Sequence, residues 1–158
     1  MFDVRRLALA SLVALVPALA VAAEPVPKYS VALTLSPAAV AKLTKVKEQV
    51  TVSAHYYGMP TEAAEKKKIP NEIGEIDLGD EEITRPLAEP RAVFAFAGKG
   101  FDMKKTKWIH AGTSGILINV YSARRSVDDN ILDCGIYQDT VELAMSKPIE
   151  IACKLIGE

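Results

Sequence analysis

Cysteine, histidine and tryptophan are scarce in this chain: two, two and one among 158 residues. That scarcity removes much of the usual chemistry. Cys134 and Cys153 have neither His55 nor His110 near them in the sequence, and two lone thiols make a poor zinc set, so no metal and no cofactor is expected. Their spacing is not Cys-x-x-Cys, which argues against a thioredoxin-like redox pair. No Gly-x-Ser-x-Gly, His-Glu-x-x-His or Gly-x-x-x-x-Gly-Lys-Ser/Thr stretch occurs, so the nucleophile elbow, the zinc-protease helix and the phosphate cradle have no basis here. A Ser/His/Asp constellation made only by folding stays open, as does a hydrolase using paired carboxylates such as Asp128 and Asp129. Adjacent residues on a strand point apart, however, and in a loop they cap turns. Catalysis is the weaker reading.

An excess of charge of one sign is also missing. Nineteen basic residues stand against twenty acidic ones, which gives no global electrostatic reason to bind nucleic acid. Glu72, Glu75, Asp77, Asp80, Glu81 and Glu82 crowd one stretch, but they do not keep the spacing of a calcium loop and read as a solvated acidic face. No Asn-x-Ser/Thr site is present, which leans toward a bacterial periplasm.

Long hydrophobic runs are confined to the N-terminus. Residues 1–23 carry Arg5 and Arg6, an apolar run over 7–16, Pro17 as a breaker, and small residues at Ala20, Ala22 and Ala23. This is the layout of a secretory signal peptide, cleaved after Ala22 or Ala23. The run falls short of the ~20 residues that span a bilayer, and no cysteine follows it for lipid attachment, so the mature protein is expected to be periplasmic or secreted and free of stable membrane insertion. In an exported chain Cys134 and Cys153 pair most simply as a disulfide, worth roughly 3 kcal/mol by loop-closure entropy.

What remains is mostly strand. Residues 24–28 read as an extended linker, because Pro25 and Pro27 fix the backbone and remove donors. A single domain is expected over 29–158. Val31, Leu33 and Leu35 share one face of a first strand, and Ser36-Pro37 then caps a short helix or turn over 38–43. Residues 48–57 alternate cleanly: Val50, Val52, Ala54 and Tyr56 on one face, Thr51, Ser53, His55 and Tyr57 on a polar face that binds a ligand or is simply solvated. Residues 61–68 suit a capped helical turn or a charged loop. One or two short strands fit within 73–87, and 91–97, apolar on both faces, suits a central strand.

The densest pattern lies over residues 115–140. Ile116, Ile118 and Val120 alternate with Leu117, Asn119 and Tyr121, then residues 122–130 interrupt with turn-forming and charged residues before Ile131 and Leu132 resume. A hairpin is the simplest account. The glycines of 111–115 read as a flexible lead into it. Further strand segments are expected over 135–138 and 141–145, and Pro148 opens a final strand with Ile149, Ile151, Cys153 and Leu155 on one face.

About seven or eight short strands with little helix predict a mainly β chain, a two-layer antiparallel β-sandwich of immunoglobulin-like or related type with one or two short helical turns. The expected function is that of an exported, non-catalytic binding protein, possessing a protein partner met by the loop through Tyr121, Ser122, Arg124, Arg125, Asp128, Asp129 and Asn130; an inhibitor of a secreted enzyme is one concrete form. Arginine forks bind carboxylates, and Arg and Tyr concentrate interface energy. Alternatively the arginines pair internally with Asp128, Asp129 or Asp133 and only fix the loop. A second reading is a small-ligand or glycan site at Lys105, Lys107, Trp108 and His110, by cation attraction and stacking. Short edge strands also allow two copies to pair as a homodimer.

Overall fold

The computed structural model describes residues 25–158. The expected signal segment, residues 1–23, lies outside the described residues, as does Glu24 at the head of the expected linker. The chain then runs β1 (Tyr29–Leu35), α1 (Pro37–Val46), β2 (Gln49–Pro60), α2 (Glu62–Lys66), β3 (Ile76–Pro86), β4 (Arg91–Phe96), a 3-10 turn (Thr106–Trp108), β5 (Ile109–Ser122), β6 (Leu132–Cys134), β7 (Tyr137–Thr140), α3 (Val141–Ser146) and β8 (Ile149–Leu155).

The strands form two four-stranded sheets, ordered β4-β1-β8-β6 and β3-β2-β5-β7. They pack face to face as the expected sandwich. Pairing is antiparallel except between β1 and β8, which run parallel with Val31 opposite Ile149 and Leu35 opposite Cys153. Period-two alternation decides which side chains go inward: Val31, Leu33 and Leu35 from β1, Val50, Val52, Ala54 and Tyr56 from β2, Ile116, Ile118 and Val120 from β5, and Ile149, Ile151 and Cys153 from β8 are all buried. Across the core the Tyr29 and Tyr56 hydroxyls meet at 3.0 Å, Tyr29 stacks on Phe96 at 5.0 Å and Tyr56 meets Phe101 edge-on at 5.3 Å. Burial pushes both phenols well above their ordinary range, so the pair stays neutral and shares a hydrogen bond that removes an otherwise unmet polar cost.

The helices are set by caps. Ser36 Oγ accepts the Ala39 N–H at 3.1 Å with Pro37 at the first helical position, and Thr61 Oγ1 accepts from Ala64 at 3.2 Å. Lys47 ends α1 in the left-handed region (φ 54°), and the Glu48 N–H donates to the Leu43 carbonyl at 2.9 Å. Cys134 and Cys153 lie directly opposite each other on β6 and β8 and form the expected disulfide. A disulfide fits an oxidising, extracellular or periplasmic compartment. Among the described residues no helix is long and apolar enough to cross a membrane.

Several sequence expectations need correction. β5 and β6 are not a hairpin: they belong to different sheets, and residues 123–131 carry the chain across the sandwich. β4 is an edge strand, with Val93 60 % exposed beside buried Phe94 and Phe96; two aromatic residues on one face are enough to seat it, and its other apolar face is left to solvent. The expected flexible lead at 111–115 is part of the long strand β5, because pairing with β2 holds Gly115 opposite Tyr57. Residues 141–145 form α3, not a strand: Thr140 Oγ1 accepts the Leu143 N–H at 3.2 Å, and Val141 and Ala144 reach the core at helical spacing. Residues 76–86 form one strand with a bulge where two short ones were an option.

Candidate functional site

The crossing over residues 123–131 is built around a buried carboxylate. The α1 cap delivers Glu48 just ahead of β2, 2 % exposed, beneath the loop. Its Oε2 accepts the N–H groups of Arg125, Ser126 and Val127 at 3.0, 2.7 and 3.1 Å and the Ser126 hydroxyl at 3.0 Å. Its Oε1 accepts from the Gln49 and Arg125 N–H groups at 2.8 and 3.1 Å. Successive N–H groups aimed at one anion form a nest. Burial pushes this carboxyl up, but the hydrogen bonds from Ser126, Gln49 and Arg125 outweigh it and hold the group at about 2. Glu48 is thus a fixed anion that sets the loop's backbone.

A second clamp closes the base of the loop. Asn130 Oδ1 accepts the Ser122 N–H at 2.9 Å, the Ser122 hydroxyl at 3.1 Å and the Leu132 N–H at 3.1 Å, and the Asn130 amide donates to the Leu132 carbonyl at 2.8 Å. Ser122 Oγ in turn accepts the Ile131 N–H at 2.9 Å. Ser122 is fully buried, so of the expected contact residues Ser122 and Asn130 are turned to holding the loop. Tyr121 is half-buried and donates to Glu82 at 2.8 Å; burial, then that hydrogen bond, pushes its phenol up.

Arg124, Arg125, Asp128 and Asp129 are exposed. Arg124 sits in the left-handed region at φ 56°. Among the described residues neither arginine makes an ion pair with Asp128, Asp129 or Asp133, and Asp133 pairs instead with Lys154 at 3.7 Å. Beside the loop lies a groove of about 660 Å³ lined by Tyr121, Arg124, Asn130, Leu132, Ile136 and Ile156. Ile136 and Ile156 are 68 % and 60 % exposed. β7 pairs with β5 only over Gly115–Ile118, and beyond that pairing Asn119, Val120 and Tyr121 line the groove. No protein family, curated protein or solved structure matches this chain.

Of the second expected cluster, Lys107 and Trp108 are together. Trp108 packs partly against the core, with the Lys67 and Lys107 ammonium groups 4.9 and 5.1 Å from its ring centroid. Lys105 donates to the Asp77 carbonyl at 2.8 Å, and His110 is exposed on β5. Glu48 is the residue that sequence reasoning passed over: it stood at the head of a strand pattern, and only its position after the helix cap marks it.

Proposed function

We propose that this chain is an exported, non-catalytic binding protein that grips an acidic segment of another protein with Arg124 and Arg125 and the groove beside them. The observation that carries this reading is the contrast within one loop. Its backbone is clamped by Glu48 and Asn130, while its two guanidinium groups are exposed and without an ion pair among the described residues. A rigid base lowers the ordering cost of association, and free arginine forks suit carboxylates. Ile136 and Ile156 supply apolar contact beside them, and Asp128 and Asp129 flank the crest. Inhibition of a secreted enzyme, with the loop entering an acidic cleft, is one form this binding takes.

The test is parallel affinity capture from the exporting compartment with oxidised mature protein and the Arg124→Ala/Arg125→Ala variant. A partner retained by the first and released from the second, with retention falling as salt rises, supports the reading. Identical retention on both baits, or none, refutes it.

A further inference from the structure

Midway along β2, three potential metal ligands meet on the outer face of the second sheet. His55 and Tyr57 share that face, and β3 runs alongside with Asp80 opposite His55 and Asp77 opposite Tyr57. The register slips between Tyr56 and Tyr57. Leu78 remains fully buried, and the extra residue brings Asp77 and Asp80 onto one side, three positions apart. Such bulges re-aim side chains. Gly79 makes the turn at φ +107°, where a Cβ would collide with the Gly100 carbonyl. His55 Nδ1 lies 2.8 Å from Asp80 Oδ1, and one donor atom from each of His55, Asp77 and Asp80 lies within 4.8 Å of the other two. Asp77 Oδ1 already accepts the Gly79 N–H at 2.7 Å, which fixes that carboxylate. Its Oδ2 faces the Lys105 ammonium at 3.8 Å.

We propose that His55, Asp77 and Asp80 bind a divalent transition-metal ion of zinc type. One imidazole and two carboxylates suit such an ion, whereas calcium calls for six to eight oxygens and finds two side chains here. All three ligands stand on paired strands, so little order is lost on binding. To ligate through Nδ1 the ring must first move to Nε2 the proton that Asp80 Oδ1 accepts at 2.8 Å, and the Asp80 oxygen so released becomes a ligand. Lys105 is the competing cation. Three protein ligands leave a tetrahedral position open to solvent.

The test is calorimetric titration of zinc chloride into untagged, oxidised mature protein, with circular dichroism to establish that each variant is folded. One zinc per chain is expected, weakened about 10–100-fold or more in His55→Ala and in Asp80→Asn, since a lost ligand costs at least what a lost outer partner does. His110→Ala should leave binding unchanged, and Lys105→Met should tighten it. Absence of saturable binding, or wild-type affinity in His55→Ala or in Asp80→Asn, overturns the site. Unchanged or weaker binding in Lys105→Met overturns the part given to Asp77. None of these outcomes touches the arginine loop.

Discussion

Glu48→Gln is the sharpest test of how the loop is held. The substitution keeps the shape of the side chain but removes its charge, and it turns an NH₂ group toward donors that need an acceptor. The carboxyl is held at about 2 against an ordinary 4.5. At 1.36 kcal/mol per pKa unit that corresponds to about 3 kcal/mol, and because the loop's outer surface is wet, screening reduces this to about 2 kcal/mol. The sign follows from the lowered value. The contribution is fully present above about 4.5 and fades as pH falls through the folded value of about 2. Urea unfolding of both proteins at pH 7, 4 and 3 should therefore show a gap of about 2 kcal/mol at pH 7 that narrows with acidification, because only the wild type loses a charged clamp. A pH 7 gap below about 0.5 kcal/mol, the range of an ordinary surface substitution, would refute the account. So would a gap independent of pH.

Two further outcomes follow from packing and covalent linkage. A Cβ added at Gly115 would collide with the Tyr57 ring, so Gly115→Ala must displace the ring and its hydrogen bond from Gln138 at 2.9 Å; a loss of about 1–3 kcal/mol is expected in thermal unfolding, and an unchanged midpoint would show that the ring moves freely. Replacing Cys134 and Cys153 together by Ala should cost about 2–4 kcal/mol in urea unfolding, with a loss under about 1 kcal/mol counting against a stabilising bridge.

The layered architecture was legible because alternation is a local signal: Val50, Val52, Ala54 and Tyr56, and Ile116, Ile118 and Val120, declare one inward face each and occupy it. The disulfide followed from two cysteines in a chain read as exported. Local signals failed where a distant partner decides the outcome. Residues 111–115 look like loop chemistry, yet β2 recruits them into a strand. The apolar outer face of β4 suggested a covered strand, but its sheet ends there. The candidate loop was visible as a polar interruption, whereas the anion beneath it comes from a residue 77 to 79 positions earlier, a separation no pattern along the chain reports. His55 and Asp80 likewise meet only through strand pairing.

The parallel placement of β8 bears on the order in which this molecule can be assembled. β8 lies between β1 and β6, so the last described strand fills an interior place in its sheet. Until it arrives, β1 has only β4 at its side and the half-cystine of β6 has no partner. A chain leaving the ribosome therefore cannot complete either the first sheet or the bridge while β8 is still inside the tunnel. Such long-range closure delays folding until β8 has emerged. Until then the β8-facing edge of β1 stays open to pairing with other strands.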